Sequence, residues 1–246
     1  MSETRGTLLP FYLVVDVSYS MSGSKIDAAN DMIVRVQDEL AKNPILADKV
    51  RFSVIDFSDD ARVLLPLCDL LERGVTVPRL TVRAGTSFAA ALRVLRTEIE
   101  TNVKQLKGDS FKVHRPVVFF LSDGMPTDPD ADWQAAFRDL THYDPATGSG
   151  FRTRPNVVPC GVDDADPRVM QQLIFPATGE KQMRMYLMDR GEDAANAIGS
   201  IAQVLISSIL SSGVSIAAGG SGIMLPAAAE LPGGVHEYTA DDQDFV

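Results

Sequence analysis

Five short stretches of the chain are apolar at almost every position: 11–16 (FYLVVD), 50–57 (VRFSVIDF), 115–123 (RPVVFFLSD), 156–162 (NVVPCGV) and 183–188 (MRMYLM). A run such as VVFFL has no polar face, as expected of a central strand covered by helices on both sides. Between these runs the apolar residues recur at three- and four-residue spacing. Ile26, Ala29, Ile33, Val36 and Leu40 form one helical stripe, and Phe88, Leu92, Leu95, Ile99 and Val103 form a second. Trp133, Ala136, Phe137 and Leu140 mark a shorter helix. Ala194, Ile198, Ile201, Leu205 and Ile209 mark a final one, predicted to end near Ser212 before Gly213. Alternation of strand and helix is the pattern of parallel strands joined by crossovers. The run ARVLLPL (61–67) follows the second strand too closely for a crossover, so it is predicted to pair antiparallel at an edge. The expected fold class is α/β: a doubly wound, Rossmann-like, mostly parallel six-stranded sheet with one antiparallel edge strand and helices on both faces.

A chain of 246 residues has room for one large α/β domain. The strand and helix pattern assigns residues 1–212 to that domain. Residues 213–246, rich in Gly and Ala and then acidic, read as a tail, and 142–154 (HYDPATGSGFRTR) as an exposed loop. The formal charge of −10 repels phosphate backbones and anionic lipid heads, which argues against nucleic acid as a partner. Half of that excess lies in the tail, in Glu230, Glu237, Asp241, Asp242 and Asp244. Two cysteines, Cys68 and Cys160, and a start without the basic and apolar regions of a signal peptide point to a cytoplasmic location. Residues 194–229 carry no formal charge, but seven Ser among them argue against a lipid-facing helix and for a core helix followed by a loose end.

In a doubly wound sheet, ligands bind beyond the carboxyl ends of the strands, so the residues that end each apolar run are the candidates for chemistry. The first run ends in Asp16-Val17-Ser18-Tyr19-Ser20-Met21. If that segment stays extended, residues 16, 18 and 20 project to one side. Ala84-Gly85-Thr86-Ser87 precedes the Phe88 stripe, where a hydroxyl can cap a helix and face the crevice. The third run ends in Ser122-Asp123-Gly124. Asp16, Ser18, Ser20, Thr86 and Asp123 are five oxygen donors without His or Cys, a set suited to a hard cation. Mg²⁺ fits a site with few carboxylates and open water positions, with Mn²⁺ or Ca²⁺ as alternatives. Ca²⁺ prefers more carboxylates, and Zn²⁺ prefers nitrogen or sulfur.

At these five positions the sequence resembles the von Willebrand factor A domain family. Its metal-ion-dependent adhesion site combines Asp-x-Ser-x-Ser after the first strand, a Thr before a helix and an Asp after the fourth strand. The order of elements agrees over residues 7 to about 212. Tyr19 stands where that motif commonly has Gly, which implies a bulkier, more aromatic rim. The phrases LPFYLVVDVSYSM, LLPLCDL, RAGTSFAAAL and RPVVFFLSDGMPTD are similar to those of bacterial TerY-type proteins, which are associated with tellurite and other chemical-stress resistance. Such proteins are typically encoded beside a protein kinase and a PP2C-type phosphatase. The resemblance implies that Ser18 and Ser20 bind the metal directly, that Asp16 and Asp123 do so directly or through water, and that Thr86 does either according to state. It further implies a partner Asp or Glu carboxylate in the open coordination position, favoured by the N-terminal dipole of the helix after Ser87. The implied role is a non-enzymatic protein-binding module.

Each element also has a plainer reading, since Ser18 and Ser20 could cap a helix, Thr86 could do the same and Asp123-Gly124 could form a turn. Agreement of three strand ends on one donor chemistry favours the site. A metal-dependent hydrolase that activates water at the open position is the alternative, motivated by that position alone. Ser22-Gly23-Ser24-Lys25 matches a Ser-x-x-Lys nucleophile pattern, but the Lys-Thr-Gly that should accompany it is absent and Lys25 falls in the first turn of a helix. His114, His142 and His236 have no metal-ligand spacing, and Asp59-Asp60 and Asp163-Asp164 read as solvated loop charges.

Overall fold

The structure is a computed structural model that describes residues 4–189, 193–220 and 222–243. Every apolar run forms a strand. In chain order these are β1 (Gly6–Asp16), β2 (Val50–Phe57), β3 (Ala61–Cys68), β4 (Phe111–Val113), β5 (Val117–Ser122), β6 (Tyr143–Asp144), β7 (Ser149–Gly150), β8 (Asn156–Gly161), β9 (Met185–Met188) and β10 (Val235–Tyr238). The helices are α1 (Ser24–Lys42), α2 (Pro44–Ala47), α3 (Phe88–Gly108), α4 (Asp130–Thr141), α5 (Pro167–Gln172) and α6 (Ala194–Ala217). The main sheet runs β10-β9-β8-β5-β1-β2-β3, with β4 beside the start of β1. α1 and α6 pack together, as do α3 and α4; β5 is buried along its whole length and β1 from Leu8 onward.

The α/β class, the parallel centre and the antiparallel β2–β3 pair agree with the expectation from sequence. The strand count does not: the sheet has eight strands rather than six, and both edges, β3 and β10, are antiparallel. β4 is three residues long, and β10 places polar His236 and Glu237 between buried Val235 and Tyr238, so neither carries a readable apolar run. The 142–154 segment likewise contains a small β6–β7 hairpin, with Phe151 buried after it.

The boundary at Ser212 also moves. α6 continues to Ala217, because Gly213 is a close-approach position rather than a stop: a Cβ there would lie 3.1 Å from the Cβ of Leu46 in α2. Beyond the helix the chain returns to the sheet as β10, so most of the expected tail belongs to the folded body; Asp244 lies outside the described residues. α6 is long and apolar enough to cross a membrane, yet 56% of its most apolar window is buried inside the protein, where it packs on α1, α2 and β1. Truncation after Ala218 removes the buried Val235 and Tyr238 and bares the apolar edge of β9. The expected cost is about 3 kcal/mol in urea unfolding, together with faster aggregation. Unchanged stability would show that β10 contributes nothing to the sheet.

Candidate metal centre

The strand order reverses between β1 and β5: from β1 the chain moves outward through β2 and β3, and from β5 it moves the other way through β8 and β9. A crevice opens at such a switch point beyond the carboxyl ends of the two strands. Val15 stands opposite Leu121, which sets Asp16 at the end of β1 beside Ser122 and Asp123 at the end of β5. Both carboxylates are buried, Asp16 at 0% and Asp123 at 1% exposure.

Asp16 Oδ1 accepts the Ser18 backbone N–H at 2.8 Å, and Asp16 Oδ2 accepts the Ser122 hydroxyl at 2.7 Å. Ser18 Oγ and Ser20 Oγ are 2.9 Å apart, and Ser20 donates to Asp123 Oδ1 at 2.7 Å. Four of the five sequence candidates are thereby joined in one hydrogen-bonded chain. The segment does not stay extended as expected, because Tyr19–Met21 forms a single 3-10 turn, and Ser20 reaches Asp123 from that turn. Thr86 is brought alongside by its backbone frame. Tyr19 N–H donates to Ala84 O at 3.0 Å, Ser87 N–H to Ser58 O at 2.6 Å, and Thr127 N–H to Thr86 O at 2.8 Å.

Lys25, Asp163 and Asp128 complete the surroundings. Lys25, in the first turn of α1, donates to Asp123 Oδ2 at 2.6 Å and to Asp163 Oδ2 at 2.5 Å. Asp163 is therefore an ion-pair partner at the crevice rather than a solvated loop charge. Burial opposes the charge on Lys25, but the two carboxylates outweigh it and push the ammonium pKa up. Asp128 accepts the Ser87 hydroxyl at 2.7 Å and the Ala89 N–H at 2.8 Å. The N-terminus of α3 is thus already met by an anion of the chain itself. Asp60 is also engaged, since Arg83 bridges it to Asp56, the latter at 2.5 Å. The Lys25 contact had one sequence signal: a cation one turn into the helix that follows Asp-x-Ser-x-Ser must emerge at the same strand end.

Burial pushes the Asp16 carboxyl up to about 6, and the Asp123 charge adds to this, against the hydrogen bonds from Ser18 and Ser122. Of the two buried carboxylates, Asp123 alone meets the Lys25 ammonium, whose charge is divided again with Asp163. The donor set is all oxygen and carries a surplus of negative charge out of water, so it fits a hard divalent cation. Among the described residues no group of three or more His, Cys, Asp or Glu gathers to hold a metal. The fit therefore rests on two carboxylates with hydroxyl donors.

Residues 11–125 match the family profile of the von Willebrand factor type A domain. No curated protein matches the sequence. Among solved structures, the ArnB paralog VWA2 from Sulfolobus acidocaldarius is similar over 81% of this chain and 44% of that one, with a TM-score of 0.51 at 16% identity. The SpRpn10 VWA domain is similar over 79% of this chain and 95% of that one, with a TM-score of 0.51 at 10% identity. The pilus adhesin SpaC from Lactobacillus rhamnosus GG, in its open conformation, is similar over 85% of this chain, with a TM-score of 0.56 at 14% identity. This chain spans less than half of the Sulfolobus protein and 30% of the adhesin. Residues 11–125, which hold all five candidate donors, thus match the von Willebrand factor type A domain, and about four-fifths of the chain has the fold of solved A domains.

Proposed function

We propose that the chain is a non-enzymatic protein-binding module in which Asp16, Ser18, Ser20, Thr86 and Asp123 hold a divalent cation, Mg²⁺ by donor count, with Mn²⁺ or Ca²⁺ as alternatives. When bound, the cation would supply an open coordination position for an Asp or Glu carboxylate of a protein partner. The observation that carries this reading is the rim. Tyr19 and Met125, each next to a donor segment, are 77% and 57% exposed, and both are residue types enriched in protein interfaces. The chain's own groups prepare the crevice. Ser18 and Ser122 orient Asp16, while Ser20 and Lys25 orient Asp123, so the carboxylates are fixed before any ligand arrives.

The phrasing shared with TerY-type proteins extends the proposal to a cytoplasmic scaffold in a bacterial stress or tellurite-resistance signalling set. Its partners there would be a Ser/Thr protein kinase and a PP2C-type phosphatase.

The test is calorimetric titration with Mg²⁺, followed by affinity capture from host lysate in Mg²⁺ and in EDTA. Wild type is expected to bind Mg²⁺ saturably and to retain a partner in Mg²⁺ alone, whereas Asp16→Ala and Asp123→Ala lose both. Tyr19→Ala is expected to keep the metal and weaken partner retention about tenfold, the effect of losing one aromatic anchor. Equal metal binding in wild type and both Asp variants would overturn the assignment.

A further inference from the structure

At the opposite end of the sheet, where the parallel strands begin, a cavity of about 190 Å³ lies between the last turn of α3, the β4–β5 connection and the segment leading into β8. Its polar lining is Lys107, His114, Arg115, Arg152, Thr153 and Arg154, and the remaining lining residues, Val103, Val113 and Pro116, are apolar. No carboxylate lines it, in a chain that has 33 acidic residues and 23 basic ones. A surface of that composition places acids beside bases by default, so four cations around one small cavity is a local inversion of the molecule's charge.

Among the described residues, Lys107, Arg115 and Arg152 have no ion pair, and Arg154 rests over the Tyr143 ring at 5.3 Å, a contact that positions a guanidinium without cancelling its charge. Burial, and then the charge of Arg154, hold the Arg115 guanidinium below its ordinary pKa. His114 is likewise lowered by burial and then by Lys112 and Lys181. The frame is fixed by backbone bonds: His114 N–H donates to Leu8 O at 2.9 Å, Asn156 N–H to Pro116 O at 2.7 Å, and Arg154 N–H to Phe151 O at 3.2 Å. The C-terminus of α3 contributes a partial negative charge here, which Lys107 in its last turn offsets.

We propose that this cavity is a binding site for a phosphate dianion, free or esterified. Guanidinium groups match tetrahedral oxyanions through paired N–H donors, and the Thr153 hydroxyl adds a neutral donor. A dianion relieves the mutual repulsion of the cations more than a monocarboxylate does. The volume is below the roughly 300–1,000 Å³ of pockets that enclose drug-sized ligands, so the site takes a charged group and not a large organic body. The net charge of −10 disfavours a nucleic acid as the carrier of that phosphate. This site does not depend on the metal reading, since it lies some eight residues along the chain from Asp123, roughly 25 Å at the rise of an extended strand.

The experiment is amide NMR of the full chain titrated with inorganic phosphate, with phosphoserine, and with chloride at matched ionic strength. Saturable shifts confined to the amides around Arg115 and Thr153 are expected with phosphate or phosphoserine and not with chloride. Tighter binding of phosphoserine would identify an esterified source, and equal binding a free anion. Arg115→Gln is expected to weaken binding about tenfold, the loss of one charge-assisted hydrogen bond. Lys107→Ala, at an exposed position in the last turn of α3, is expected to weaken binding in the same direction. Shifts that fail to saturate, that chloride reproduces, or that survive in both variants would overturn the proposal.

Discussion

Phe88→Ala is expected to lower the free energy of unfolding by about 4 kcal/mol, the upper part of the range for deleting a buried aromatic ring. Phe88 is fully buried in the first turn of α3 and meets three other rings: Phe120 of β5 at 4.9 Å, Phe57 of β2 at 5.8 Å and Trp133 of α4 at 6.2 Å, each edge-on. Phe57 and Phe120 stack on each other at 5.0 Å, so the four rings tie two strands to two helices directly beneath the candidate metal centre. Phe57 and Phe120 hold each other in place, and a close-packed interior collapses only partly around a deleted ring. Urea unfolding with an unchanged slope measures the loss. Because Thr86 and Ser87 immediately precede Phe88, the same variant is expected to weaken Mg²⁺ binding without touching a donor. A loss under about 1 kcal/mol would mean that the rings are not one packed unit.

Asp16→Asn is expected to stabilise the cation-free protein by about 3 kcal/mol at about pH 7.5, and by about half of that at about pH 5. The folded carboxyl is raised to about 6 from its ordinary 3.8, so the folded state binds the proton more tightly than the unfolded chain. For such a group, stability is fully present below the unfolded pKa and is lost as pH rises through the folded one. Asn cannot ionise and escapes this penalty, while its carbonyl oxygen can still accept the Ser18 N–H. Mg²⁺ is expected to reverse the order at neutral pH, stabilising wild type and leaving Asp16→Asn unmoved. Unfolding curves at the two pH values, in EDTA and in Mg²⁺, decide the matter. A pH-independent difference between the proteins would mean that Asp16 does not titrate in this range.

Most of the architecture was legible because its signals are local. The alternation of fully apolar runs with 3.6-residue stripes separates strand from helix within ten to twenty residues, and ARVLLPL declared itself antiparallel by the shortness of its connection. The missed elements lack those signals. β4 is too short for a pattern, and β10 hides between Gly, Pro and acidic residues because only Val235 and Tyr238 face the core. Gly213 is ambiguous for a related reason, since a glycine that lets two helices approach looks in sequence like one that ends a helix.

The candidate donors divide in the same way. By itself the sequence determined which residue types stand at the ends of β1 and β5 and before α3, because strand ends and helix caps follow from neighbouring residues. Apart from the local bond of Asp16 Oδ1 to the Ser18 N–H, only the tertiary structure decided what each carboxylate oxygen meets. Lys25 lies 98 residues from Asp123 and 138 from Asp163, and Ser87 lies 41 from Asp128, so no local pattern links them. The basic cavity has the same origin, because Lys107, Arg115 and Arg154 belong to three segments that meet only when β5 lies between β1 and β8. Apolar periodicity is imposed residue by residue through burial, whereas charge pairing depends on which strand ends the sheet order makes neighbours.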